Sequence, residues 1–172
     1  MDTLQTVHEQ LKQQLRQAAL RIVALQAQTG LALAVLRIQR DGLVGKLYSQ
    51  NPIPTFWWQK RALNAAGRAY IKNNRLGTWA GFRGAQGLPV DAVNLTYSGA
   101  MMRSLTVAGG GVSGSVYAAK VVAADAENAR KLELNEARYG DFLALVPGEL
   151  AEVQQVGKLE LDKIINAGLR AA

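Results

Sequence analysis

The chain has 172 residues, 49% of them apolar, a formal net charge of +7 and no cysteine. That length suffices for a domain that holds together without metals or disulfides, and the missing thiols exclude a disulfide framework, a thiolate zinc site and a cysteine nucleophile. No basic segment leads into an apolar run at the start, and no stretch reaches the roughly 18 uninterrupted apolar residues of a membrane span, so neither a secretory signal nor a membrane partner is expected.

From the first residue onward, Leu4, Val7, Leu11, Leu15, Ala18, Ile22 and Leu25 recur at helical spacing and predict a helix ending at Thr29-Gly30. Leu31 to Ile38 is an apolar run entering the turn Gln39-Arg40-Asp41-Gly42. Asp-Gly between apolar segments predicts a hairpin with strands at about 32–39 and 43–48. Pro52 and Pro54 forbid regular pairing, and Thr55 is placed to cap a second helix running to about Asn73. Residues 74–92, interrupted by four glycines and Pro89, predict a long loop carrying Trp79 and Phe82.

The stretch VNLTYSGAMMRSLTV, from Val93 to Val107, compresses a strand, a Ser-Gly break, a turn of Met-rich helix and another strand. A second hairpin is expected from Ser104–Val107 to Val112–Ala123 across Gly109, Gly110, Gly111 and Gly114. Asp125 caps a short helix closed by Gly140, and Pro147 opens the last one. The expectation is one α+β domain over 1–172: an N-terminal helix at 1–30, a small antiparallel sheet of two hairpins with a second helix and a 74–92 loop over 31–123, and C-terminal helices over 124–172.

Chemistry is sparse. His8 has no second imidazole or thiol beside it, so metal or general-base roles lack their usual partners. The carboxylates Asp125, Glu127, Glu133 and Glu136 interleave with Arg130, Lys131 and Arg138 as on a solvated helix. The triple glycine lacks a P-loop lysine, and Ser98-Gly99 lacks the surroundings of a nucleophile elbow. The residues therefore point to no enzyme, no cofactor and no metal.

Charge is more telling. Residues 37–103 carry ten basic and two acidic side chains, whereas residues 104–172 carry seven and nine. Such asymmetry fits a polyanion-facing surface or complementary faces that meet between copies. Lys46, Lys60, Arg61, Arg68, Lys72, Arg75 and Arg83 are the candidate basic contacts, and Trp57, Trp58, Trp79 and Phe82 the candidate interface aromatics. No helix-turn-helix, zinc-finger or aromatic-sheet module accompanies them, so a free, non-specific DNA-binding protein is the alternative reading rather than a sequence-specific one.

Three stretches in order, RIQRDGLVGKLYS, VNLTYSGAMMRSLTV and NEARYGDFLALVPGELAEV, resemble the virion-morphogenesis and tail-completion proteins of tailed bacteriophages, which join head to tail. The resemblance covers roughly residues 36 to 155. It implies a small α+β neck or tail-terminator-like subunit of the virion, assembled in the host cytoplasm into a ring, six-fold favoured and twelve-fold the alternative. It also implies adaptor, portal-side or tail-tube neighbours and DNA passing through the lumen without sequence specificity. Asp41, Gly42, Tyr48, Ser49, Ser98, Gly99, Met102, Ser104, Leu105, Arg138 and Phe142 carry over as structural or assembly residues.

Overall fold

A computed structural model describes residues 4–59, 61, 63–114 and 116–171. The fold is α+β. Along the chain come α1 (Leu4–Asp41), β1 (Ile53–Pro54), a 3-10 turn (Thr55–Trp58), α2 (Ala65–Asn73), β2 (Leu76–Gly77), α3 (Trp79–Ala85), α4 (Ala100–Ser104), β3 (Leu105–Ser113), β4 (Val116–Ala123), α5 (Ala126–Tyr139) and α6 (Pro147–Ala171). Among the described residues these strands form two antiparallel pairs, β1 with β2 and β3 with β4. Two compact units result: the first comprises 1–34, 104–130 and 143–172, the second 35–103 and 131–142.

The largest departure from expectation is α1, which runs straight through the predicted stop and the first strand of the predicted first hairpin. LALAVLRI is rich in alanine and leucine, strong helix formers, and a helix already in progress extends at one hydrogen bond per residue. Thr29 does not break it, because its Oγ1 donates to the Leu25 carbonyl at 2.9 Å within the helix. Gly30 is a packing residue rather than a cap: a Cβ there would stand 3.1 Å from Leu145 Cδ1 and 3.5 Å from Val153 Cγ2. Asp41-Gly42, read as a hairpin turn, is the true end of the helix. Gly42 has φ 74 and its N–H donates to the Ile38 carbonyl at 3.0 Å, the left-handed cap that glycine favours.

The second predicted helix splits. Thr55 is not its cap: the side chain is buried, with its hydroxyl donating to the Asn74 carbonyl. Asn64 caps α2 instead, its Oδ1 accepting from Gly67 N at 2.8 Å. Pro54 nevertheless pairs in β1 against Leu76, because a two-residue edge strand does not need its missing N–H. Residues 74–92 hold β2 and α3 rather than a long loop. Thr78 Oγ1 caps α3 by accepting from Gly81 N at 2.9 Å. Two of the glycines expected to interrupt a loop are close approaches: a Cβ at Gly77 or Gly81 would lie 2.8 or 2.7 Å from the Tyr70 hydroxyl.

Val93 makes only an isolated bridge to Leu43, so the first strand of the Met-rich segment does not form; α4 and β3 do. Only one true hairpin is present among the described residues, β3–β4, and its turn lies at Gly114 (φ 61) rather than at the triple glycine. Gly109 to Gly111 stay inside β3, where the ladder slips between Ala108 and Gly111. The later elements match expectation. Asp125 Oδ1 accepts from Asn128 N at 2.9 Å, Gly140 closes α5 with φ 82, and α6 opens at Pro147 with Glu149 Oε2 accepting from Val146 N at 3.1 Å.

Packing is unequal between the units. Of the buried apolar side chains among the described residues, only Ala34 and Val153 belong to the first unit. There α1 approaches α6 through Gly157, which abuts Gln26, and through an Arg21–Glu160 ion pair at 3.1 Å. An open, apolar groove of about 390 Å³ remains, lined by residues such as Val23, Ala27, Tyr117, Val121 and Leu145. Leu15–Asp41 is long and apolar enough to cross a membrane by length and composition, and little of it is buried. The expectation of no such segment rested on uninterrupted runs, and Arg21, Gln26, Gln28 and Thr29 interrupt this one.

The second unit has a real core. Trp58 and Phe82 stack at 4.6 Å between centroids, with Trp79 at 5.5 Å and Tyr70 at 6.1 Å from Phe82. Val93, Ile38 and Phe142 are buried in the same unit. Because Gly42 combines a left-handed backbone with contact against Ala92, Gly42→Ala is expected to lose about 2 kcal/mol in urea denaturation, from the conformational penalty and the displaced neighbour together.

Candidate functional site

Local chemistry in the second unit converges on one side chain. Asn94, buried, presents Oδ1 to three donors: the Tyr48 hydroxyl at 2.9 Å, Arg83 Nη2 at 3.1 Å and Thr96 N at 3.2 Å. Its own N–H donates to Tyr48 Oη at 3.1 Å. The short Asn94–Thr96 turn holds Leu95 at φ 54, a left-handed conformation that an ordinary side chain adopts only under constraint.

Arg83 is 1% exposed and has neutral acceptors: the Pro89 carbonyl at 3.2 Å, the Thr96 carbonyl at 2.9 Å and Asn94 Oδ1. Its guanidinium carbon lies 4.1 Å from the Tyr48 ring centroid. Burial lowers its pKa from the ordinary guanidinium value, against the opposing effect of Tyr48 and Tyr97. Burial likewise pushes the Tyr48 hydroxyl above its ordinary value, outweighing the nearby Arg83 charge. Arg83, expected on a lumen or partner surface, is therefore an internal clamp that ties α3 to the 89–96 segment.

Above this clamp opens a cleft of about 370 Å³. Buried or half-buried Tyr48, Leu95 and Met101 form its floor, exposed Arg61, Lys131 and Arg138 stand on its walls, and none of the described residues lining it is acidic. Arg61 lies over Trp79 at 4.9 Å and over Tyr97 at 5.6 Å, and Arg138 over Tyr139 at 5.3 Å. Tyr97 is held from behind, its hydroxyl accepting from Gln86 Nε2 at 2.9 Å. A second depression shares Ser49, Arg61, Trp79 and Arg138 with the cleft and extends to Asn51 and Ile53. Guanidinium groups beside aromatic rings still have N–H groups to offer an anion, so the arrangement can recognise negative charge.

The basic residues expected to act together are dispersed. Arg61 alone of them reaches the cleft wall as an exposed cation. Lys46, Lys72 and Arg75 are exposed elsewhere, Arg68 donates to the Leu63 carbonyl at 2.7 Å, and Lys60 lies outside the described residues. Of the aromatics, Trp57 is 61% exposed, Trp58 and Phe82 are core, and Trp79 stands at the cleft.

The residues named from the family resemblance lie both inside and at the surface, with Asp41, Ser98 and Arg138 exposed. Asp41 pairs with Arg40 at 2.7 Å, Met102 and Phe142 are buried, and Ser104 and Leu105 join α4 to β3. Ser49 accepts Ala80 N–H at its carbonyl, and Ser98 Oγ accepts from Ala100 N at 3.3 Å ahead of Gly99, φ 71. Ser49, Ser98, Gly99 and Arg138 also border the cleft.

Sequence reasoning missed Asn94, Tyr97, Lys131 and Tyr139. Asn94, between the apolar Val93 and Leu95 and three residues before Tyr97, was the one available signal. Among the described residues no group of three or more histidines and carboxylates could hold a metal ion.

Arg83→Met removes three hydrogen bonds, leaving the Pro89 and Thr96 carbonyls without this donor while Asn94 Oδ1 keeps Tyr48 and Thr96 N, and is expected to cost roughly 2–4 kcal/mol by chemical denaturation. Tyr48 is neutral in the fold and its pKa is raised there. Its stabilising share is therefore fully present below the unfolded value of about 10 and is lost as pH rises through the folded value. The stability difference between the wild type and Tyr48→Phe is expected to stay constant up to about pH 10 and to shrink above it, read by urea titration at each pH.

No family model, curated protein or solved structure matches the chain.

Proposed function

We propose that the chain is a non-enzymatic structural subunit of a tailed-phage virion, a neck or tail-completion protein that closes into a ring with copies of itself around the DNA path. The observation that carries this reading is the near-absence of a private core in the first unit: Ala34 and Val153 are its buried apolar side chains among the described residues, while α1 is apolar over most of its length. A helix of that composition gains little as a solitary surface and much when neighbours cover it. Leu15, Leu36, Val44, Leu47, Phe56 and Trp57 add exposed apolar area of the kind that interfaces bury. The three family-like stretches support the same assignment independently.

Identical subunits joined head to tail close into a ring when their rotation allows it. Exposed Lys46, Lys72 and Arg75 then either face the DNA or meet an acidic neighbouring ring. Virion location after assembly in the host cytoplasm belongs to this reading.

The length and composition of α1 also favour a membrane span as a second reading. Against it, Arg21 and Gln26 inside that segment bond Glu160 and the Val153 carbonyl of α6, polar commitments that suit a protein neighbour better than lipid.

Electron microscopy of the purified protein is expected to give closed class averages, six-fold or twelve-fold. Leu36→Glu combined with Trp57→Ser is expected to leave helical content intact and remove the rings. A monomer that floats with liposomes establishes the membrane reading instead, and a monomer or dimer binding duplex DNA with a steep salt slope establishes the free DNA-binding one.

A further inference from the structure

The cleft between Arg61, Lys131 and Arg138 offers positive charge without any carboxylate among its lining residues, and the chemistry of its walls narrows what can fill it. A nucleobase needs an aromatic face to stack on. Trp79 and Tyr97 are already engaged, by the Arg61 guanidinium and by Phe82 at 5.5 and 6.2 Å between centroids. Arg61 and Arg138 are both exposed, and a guanidinium carries a fork of N–H donors whose spacing matches a carboxylate. Leu95 and Met101 on the floor accept apolar groups beside that carboxylate. At about 370 Å³ the cleft has room for a few side chains, not for the broad backbone of a duplex.

A surface of complementary chemistry exists on the same polypeptide. On α6, Leu159, Asp162 and Ile165 are spaced three apart, so they share a helix face, and all three are exposed, Leu159 and Ile165 at 50%. An acid flanked by two aliphatic side chains matches a cationic cleft with an apolar floor. Net charge repeats the pattern, with residues 37–103 strongly basic and residues 104–172 mildly acidic.

We propose that the cleft is the socket for α6 of a second copy, with Asp162 of that copy set between Arg61 and Arg138. This rests on the ring reading and deepens it: the contact is heterologous, cleft on one subunit and helix on the next, which is the geometry that propagates around an axis.

Charge exchange in the full-length protein tests the pair. Arg61→Glu and Asp162→Lys alone are each expected to raise the concentration for half-assembly, read by light scattering, at least about tenfold, and the double variant R61E/D162K to recover most of the loss. Circular dichroism confirms that each variant is folded. A second measurement needs no variant. Wild-type rings formed from mixed light- and heavy-isotope protein are treated with a zero-length carboxyl–amine cross-linker, and Lys131 is expected to join Asp162 between copies.

Unchanged assembly in both single variants, or a Lys131–Asp162 link confined to one copy, overturns the socket while leaving the ring reading intact. A wild type without rings removes the ring reading itself, and the socket with it. Single-stranded oligonucleotide that quenches tryptophan fluorescence in the wild type but not in Arg61→Ala assigns the cleft to phosphate and overturns the proposal.

Discussion

A buried guanidinium without an acid to neutralise it governs the second unit. Arg83 places its charge against two carbonyl oxygens, an amide oxygen and the face of Tyr48. Taking a cation out of water is costly, and only a full set of acceptors at hydrogen-bond distance makes the burial tolerable. Every acceptor therefore has to stay where it is, which fixes the turn through Asn94 to Thr96, the left-handed Leu95 and the position of α3. The aromatic cluster around Phe82 supplies the apolar burial that offsets these demands.

That rigid unit is what gives the cleft a defined shape. Arg61 lies near Trp79 and Tyr97, which are held by Phe82 packing and by a hydroxyl bonded to Gln86, and Arg138 lies near Tyr139. Preorganised cations lose little side-chain entropy when an anion arrives. The first unit is built on the opposite principle, a long helix, a hairpin and α6, with α1 and α6 joined by small-residue contacts, the Gln26–Val153 hydrogen bond and the Arg21–Glu160 ion pair. A chain with one well-packed unit and one with few buried apolar side chains among the described residues gains stability from any neighbour that covers the second.

Several misreadings share one physical cause. Gly30, Gly77 and Gly81 look alike in sequence to residues that break or turn a chain, yet each is present because another side chain lies against its Cα. Asp41-Gly42 likewise serves equally well as a hairpin turn or as a helix end, since both need a left-handed glycine. Local composition cannot separate these uses, because the deciding contact comes from residues tens of positions away.

The α+β class, the caps at Asp125 and Gly140, the start of α6 at Pro147, the β4 strand and the basic middle were all legible in the chain alone, because each depends on periodicity or on a cap within a few residues. Which cations stay in solvent, which aromatic residues form the core and where a binding cleft opens were decided only by tertiary structure. Arg61 and Arg83 show the reason: as residue types they are the same, and their separation into a cleft wall and an internal clamp follows from the acceptors that Pro89, Asn94 and Thr96 place around only one of them.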